Sequence, residues 1–177
     1  MTAVKPLEPV DRIPLSAFFT RIPEGDRTFF RDRVLDDGTI DRWLAEPYAR
    51  RLVAVVDHAV LGVASLVRGV AWSSHVGSLE IVVDPEHRRQ GIGRLLVQES
   101  IRQGVPDGIE KFVVSALGDQ QPTLSMLQSL GFEAEAILRD HVRDEDGQPR
   151  DLVLLAHFVQ DNEAGFEATG IIEAVQR

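Results

Sequence analysis

Seven consecutive residues, Arg88-Arg89-Gln90-Gly91-Ile92-Gly93-Arg94, bring three guanidinium groups and two glycines together. They follow the β-branched run 78–83 and the breaker Asp84-Pro85, and they open a stretch of helical periodicity. A strand that turns through glycine into a helix start is suited to an anion. The first amides of a helix have no intrahelical acceptor, and the macrodipole places partial positive charge beside them. Gly91 and Gly93 carry no Cβ to hold a phosphate away, and Arg88, Arg89 and Arg94 add full charges. The P-loop spacing of glycines and lysine is absent. Leu96 occupies the third glycine position of GxGxxG, and no suitable βαβ start precedes it, which argues against a dinucleotide fold. Taken alone, the two glycines are equally compatible with a tight strand–helix turn.

The elements that must position this segment are legible on either side of it. Residues 14–35 mix Phe18, Phe19, Phe29 and Phe30 with charges at helical spacing, predicting one or two amphipathic helices broken near Pro23-Glu24-Gly25. A short helix over 39–46 stops before Pro47. Residues 51–56 and 60–68 read as strands of a hairpin turning at Asp57-His58-Ala59. Strand 78–83 leads into helix 92–103, and Gly104 stands where a C-terminal glycine cap is expected. Strand 110–116 and helix 122–130 follow, with Pro122 in the first turn and Gly131 past the end. Strands 132–142 and 150–159 close the pattern around a turn containing Asp146-Gly147. Helices followed by β-β-β-α-β-α-β-β predict an α/β (α+β) fold with a largely antiparallel sheet and one crossover.

Composition narrows the function. The chain has 177 residues, enough for one domain with a real core. Its net charge of −9 argues against a nucleic-acid binder. Lys5 and Lys111 are the only lysines, so the positive charge is nearly all arginine, and Arg88, Arg89, Arg94 and Arg102 cluster in one stretch. A cationic patch on an anionic chain points to a small anionic ligand, although a solvated helix face gives the same count. With no cysteine there is no disulfide, thiolate nucleophile or thiolate metal ligand. None of the five histidines stands at ligand spacing with a partner, so no metal is expected. No apolar run nears the roughly 20 residues of a membrane span, and the N-terminus lacks a signal-peptide pattern. A cytoplasmic protein without membrane attachment is the expectation.

The longer string Leu79-Glu80-Ile81-Val82-Val83-Asp84-Pro85-Glu86-His87-Arg88-Arg89-Gln90-Gly91-Ile92-Gly93-Arg94-Leu95-Leu96 closely resembles the acetyl-CoA motif of the GNAT superfamily of N-acetyltransferases. That motif is written Q/R-x-x-G-x-G/A after a strand ending V-x-P-E-x-R. Arg88, Gly91 and Gly93 match its first, fourth and sixth positions. Leu130-Gly131-Phe132 resembles the "LGF" before the family's last hairpin, and the resemblance covers roughly residues 53–159. It implies the GNAT fold, a mixed and mostly antiparallel sheet of about six or seven strands flanked by helices. It also implies a single domain over 1–177, with a core at about 51–159, N-terminal helices 1–50 on the acceptor side and an acidic tail 160–177.

The implied activity is transfer of an acetyl group from acetyl-CoA to a primary amine by direct attack. The amides of Arg89, Gln90, Gly91, Ile92, Gly93 and Arg94 would hold the pyrophosphate. The backbone of Val82 and Val83 would hold the pantetheine and polarise the thioester carbonyl where this strand splays from the next. Gln120, at the position of a family asparagine, would reach the pantetheine.

The match then departs. Many members place a tyrosine, as general acid, four residues before the glycine of "GF"; here that residue is Leu127, and the only tyrosine is Tyr48. An alkyl ammonium of pKa about 10 is neutral in only about one molecule in a thousand at pH 7, so a base or water chain must help. The glutamate that some members carry at the position of Ser78 is absent, and Glu80, two residues along the same strand face, is the substitute, with His75 as a further candidate base. His87 is expected as a packing residue, and His141 and His157 at core or edge positions. Phe29, Phe30 and Asp32 could line a cleft for a cationic acceptor or serve the core. The acceptor is a small-molecule amine or a protein or peptide amine, and a homodimer is the default assembly. The alternative is a catalytically weak or inactive acyl-CoA-binding sensor of the same fold.

Overall fold

A computed structural model describes residues 2–27, 32–36, 38–46, 48–144 and 146–159. Phe29, Phe30 and the tail 160–177 lie outside these residues. Seven strands hydrogen-bond in the order β1-β2-β3-β4-β5-β7-β6. In chain order these are β1 (Ala3–Pro6), β2 (Ala49–Val56), β3 (Ala59–Arg68), β4 (Val76–Val83), β5 (Lys111–Leu117), β6 (Glu133–Arg143) and β7 (Pro149–Phe158). The helices are α1 (Arg12–Arg21), α2 (Glu24–Arg27), α3 (Thr39–Ala45), α4 (Ile92–Gly104) and α5 (Gln121–Gln128). β4 and β5 pair in parallel, which requires the crossover that α4 supplies. β1–β2, β2–β3, β5–β7 and β6–β7 are antiparallel. No helix among the described residues is long and apolar enough to cross a membrane.

The chain divides into two compact units, and strand β4 and helix α4 each contribute to both. The first comprises Met1–Val67 and Glu80–Ser100. Its core is built from α1, which buries Leu15, Phe18 and Phe19 at i, i+3, i+4 spacing. Ile22, Val34, Trp43, Val53, Val60, Val63 and Val82 complete the cluster. Phe18 and Phe19 meet edge to face with centroids 5.2 Å apart, and Phe19 meets Trp43 of α3 in the same way at 5.8 Å. β2 and β3 turn through Asp57 and His58, both at positive φ (47° and 67°), the geometry of a two-residue type I′ hairpin. At Gly62 of β3 a Cβ would stand 3.0 Å from Leu96 Cδ1 and 3.1 Å from Ile92 Cγ2. Glycine there lets the first turns of α4 press directly on the strand.

The second unit comprises Arg68–Leu79 and the chain from Ile101 onward. β5 is its centre, paired with β4 along Val76–Lys111 to Leu79–Val114 and with β7 along its whole length. Phe112, Phe132 and His157 are buried together, the histidine ring 6.4 Å and 5.2 Å from the two phenyl centroids. The β6–β7 turn is closed by Asp144, whose Oδ1 accepts from the amides of Asp146 and Gln148 at 3.1 and 2.8 Å.

Three expectations need correction. β1 was not expected. It pairs with β2 from Ala3–Val55 to Pro6–Leu52, a partnership 46 or more residues distant that four residues cannot announce. The second N-terminal helix is described over Glu24–Arg27, with residues 28–31 outside the described residues, and it does not reach residue 35, because residues 32–36 form bends and turns. There the buried Thr39 hydroxyl donates to the Arg33 carbonyl at 3.0 Å, taking an acceptor that a continuing helix would use. Gly104 is not a cap beyond α4 but its last residue, and the chain turns at Pro106 toward Gly108, where φ is +82°. The Ile109 amide returns to the Gly104 carbonyl at 3.1 Å.

Candidate active site

The end of β4 is set by Asp84. It is 4% exposed, and its Oδ1 accepts from the Glu86 amide at 3.1 Å, capping the 3-10 turn Pro85–His87. Its amide donates to the Leu61 carbonyl at 2.9 Å, holding the strand end against β3. Arg21, the last residue of α1, adds two bonds to Asp84 Oδ2 at 3.3 and 3.2 Å. The strand before this anchor changes phase. Gly77 and Leu79 are buried, and the next buried residue is Val82 rather than Ile81. The slip of one residue falls at Glu80-Ile81, beyond Leu79–Val114, the last pair in the β4–β5 register. Glu80 and Val83 are left half-buried.

After the 3-10 turn the backbone becomes left-handed twice, at Arg89 (φ 60°) and at Gly91 (φ 84°). The first is an unfavourable conformation for arginine and the second a natural one for glycine. Among the described residues a Cβ at Gly91 would meet no atom within 4 Å, so its glycine answers to backbone conformation and to whatever approaches from outside. α4 then starts, with its first bond from the Leu95 amide to the Gly91 carbonyl at 3.0 Å. The amides of Ile92, Gly93 and Arg94 therefore belong to the first turn, which has no intrahelical acceptors to offer them. Arg89, Gln90 and Gly91 are exposed, Gly93 and Arg94 half-buried. Ile92 is different: its side chain is 2% exposed, so only its backbone can face a ligand.

The positions expected from the sequence thus separate into two groups. Glu80, Val82, Val83 and Arg88 to Arg94 lie on one continuous strand–turn–helix within the first unit. His75 and Gln120 belong to the second unit. His75 is exposed and ends the β3–β4 loop, its carbonyl accepting from the Glu110 amide at 2.8 Å. Gln120 is the half-buried N-cap of α5. Leu127 is 1% exposed on that helix, a core residue where a hydroxyl would have been sought. Asp32 faces Arg51 at 3.7 Å and accepts from Trp43 Nε1 at 2.5 Å, so it is part of a cluster with Glu46 rather than a lone carboxylate.

Sequence reasoning missed the residues that hold the turn, Arg21 and Asp26. Asp26 of α2 is ion-paired with Arg88 Nη2, and Arg88 Nε donates to the Val83 carbonyl at 3.3 Å. The Arg21–Asp84 and Asp26–Arg88 partners are 63 and 62 residues apart, so no local signal could have found them.

The acetyltransferase (GNAT) family matches residues 14–132, well over half of the chain. The chain belongs to that family. It is 29% identical over 76 residues to the [ribosomal protein bS18]-alanine N-acetyltransferase of Escherichia coli K12, covering 43% of this chain and 51% of the relative. It is also 29% identical over 123 residues to the mycothiol acetyltransferase of Mycolicibacterium vanbaalenii, covering 64% of this chain and 39% of the relative. The chain therefore spans about half, or less, of the length of these relatives. Among solved structures, a GNAT-family acetyltransferase of Streptococcus pneumoniae superposes with a TM-score of 0.77 at 19% identity, covering 89% of this chain and 99% of that one. The ribosomal-protein-alanine N-acetyltransferase of Brucella melitensis gives 0.75 at 21%, over 88% and 99%. The yncA protein of Salmonella typhimurium, solved with its cofactor acetyl-CoA, gives 0.76 at 18%, over 90% and 94%. These structural likenesses establish the GNAT fold, whose seven-stranded mixed sheet is the one described above.

Proposed function

We propose that this chain is an N-acetyltransferase that moves an acetyl group from acetyl-CoA to a primary amine by direct attack. The observation that carries the reading is the turn 88–91, with left-handed Arg89 and Gly91 leading into the first-turn amides of α4. The residues there fit a pyrophosphate: exposed backbone at a helix start, guanidinium groups on either side, and no Cβ at Gly91. The amides from Arg89 to Arg94 would hold the phosphates, and the backbone of Val82 and Val83 the pantetheine arm. When bound, acetyl-CoA supplies an activated acetyl thioester.

The chain's own task is to orient that group and to manage protons. An ammonium acceptor must lose a proton before attack. Glu80, half-buried where β4 changes phase, is the group proposed to take it, directly or through water. His75 is the second candidate and Gln120 a further contact to the pantetheine. With Leu127 in the core, the departing thiolate takes its proton from solvent or from another side chain. Relatives named for a ribosomal-protein alanine and for mycothiol support an acceptor class that holds both protein and small-molecule amines.

Thiol release from acetyl-CoA, followed against amines, amino acids, lysine peptides and alanine-terminated peptides, tests the reading. Release that rises with an acceptor supports transfer. The buried Leu127 favours one second reading, an acyl-CoA sensor. Calorimetric binding of acetyl-CoA with no acceptor-dependent release would establish it, and no binding at all would remove both.

A further inference from the structure

The buried Asp84 faces a histidine as well as Arg21. Its Oδ1 lies 3.7 Å from Nδ1 of His87, and its carbonyl accepts from the His87 amide at 2.9 Å. His87 Nδ1 is buried and has no hydrogen-bond partner. The separation is too long for a full hydrogen bond, yet it decides the tautomer. A bare Nδ1 would set its lone pair against a carboxylate, so the ring proton belongs on Nδ1. Nε2 is then the nitrogen that gains or loses a proton, and 36% of the side chain is exposed for the exchange.

His87 ends the 3-10 turn two residues before Arg89, where the amides proposed to hold the pyrophosphate begin. Two residues of chain span at most about 7 Å. Carboxylates and guanidinium groups keep their charge between pH 5 and 8, whereas an imidazole changes it. His87 is the only histidine in the stretch 84–91. The described charges around it are otherwise fixed in pairs, Asp84 with Arg21 of α1 and Arg88 with Asp26 of α2, while Glu86 is exposed. A proton on Nε2 thus adds one positive charge close to the anion turn, with the Asp84 carboxylate behind the ring to stabilise it. A proton and an anion that favour one another do so by the same factor.

We propose that the Asp84–His87 pair links cofactor binding to pH: acetyl-CoA is held more tightly as pH falls from 8 to about 6, and its binding takes up a proton at His87. This rests on the acetyltransferase reading in taking acetyl-CoA as the ligand. Calorimetric titrations with acetyl-CoA across that range, in buffers of different ionisation enthalpy, give affinity and proton uptake together. The wild type is compared with His87→Gln and with His87→Lys, whose charge is permanent there. The 3′-phosphate of acetyl-CoA titrates in the same range, but it contributes alike to all three proteins. Over this range the wild type is expected to gain about fivefold more affinity than His87→Gln, with the greater proton uptake. His87→Lys is expected to bind at pH 8 about as tightly as the wild type at pH 6, without the extra slope. Equal slopes and equal uptake in the wild type and His87→Gln would overturn the proposal. An extra slope that survives in His87→Lys would overturn it equally, even if His87→Gln fails to fold. Failure of the wild type to bind acetyl-CoA at any pH would instead remove the acetyltransferase reading.

Discussion

Arg21 closes α1 onto the end of β4 by donating Nε and Nη2 to one carboxylate oxygen of Asp84, at 3.3 and 3.2 Å. The two partners are unequal: the Asp84 side chain is 6% exposed and the Arg21 side chain 47%. The buried member carries most of the consequence, because it also caps the turn that follows. Asp84→Ala is expected to destabilise the protein by about 2–4 kcal/mol, combining a lost cap with a lost buried acceptor. Arg21→Gln, at a position open to solvent, is expected to cost about 1 kcal/mol or less. Urea unfolding of both variants checks the ranking, and equal losses would contradict it.

Gly91 separates folding from binding. Its φ of +84° makes any side chain strained, yet a Cβ would touch nothing among the described residues. Gly91→Ala should therefore cost only about 1–2 kcal/mol, the left-handed penalty. Gly91→Glu should cost about the same and in addition abolish acetyl-CoA binding, because it sets a carboxylate at the anion site. Calorimetry beside thermal melting distinguishes the two effects.

Glu80 is the proposed base. Glu80→Gln is expected to leave acetyl-CoA affinity nearly unchanged and to lower kcat by about 10²-fold or more, the usual range for a removed general base. The loss should shrink at high pH, where more of the amine is already neutral. A variant of full activity would return the role to His75 or to solvent.

The buried His157 gives stability a pH dependence. Burial holds its pKa below the ordinary 6.5, opposed by hydrogen bonding to the backbone of Gly131 and Leu130. Between the folded and unfolded values the unfolded chain binds the extra proton, so stability rises with pH there. The contribution is complete above about pH 7.5 and is lost as pH falls through about 6.5 toward the folded value. Tm measured from pH 8 to about 5.5 should fall toward acid in the wild type and less steeply in His157→Phe. Parallel curves would assign the slope to other groups.

What the sequence revealed was whatever lay within one element or one turn. The segment from Leu79 to Leu96 is local, and its strand, turn and helix follow from β-branching, Asp84-Pro85 and the two glycines. The hairpin turns at Asp57-His58 and at Gly147 were legible for the same reason. β1 was not, because its four residues acquire meaning only from β2. The far end of the second helix was over-read, because residues 32–36 form bends and turns in which the Thr39 hydroxyl takes the Arg33 carbonyl from further along the chain. Within the site, the anion turn was readable, whereas its fastening by Arg21 and Asp26 was a matter of tertiary packing.

Gly62 has no reacting atom near it in sequence or role, yet it sets how deeply Ile92 and Leu96 seat on β3. A single added methyl must push back those side chains, and the Val82 carbonyl 3.3 Å from it, by tenths of an ångström, at the strand end and helix start proposed to hold the cofactor. Productive alignment tolerates only about 0.5 Å of error. Position 62 is thus a place where a conservative change can leave a folded, soluble protein with a slowed reaction, a lesion that a screen for abundance would pass and only a screen for turnover would catch.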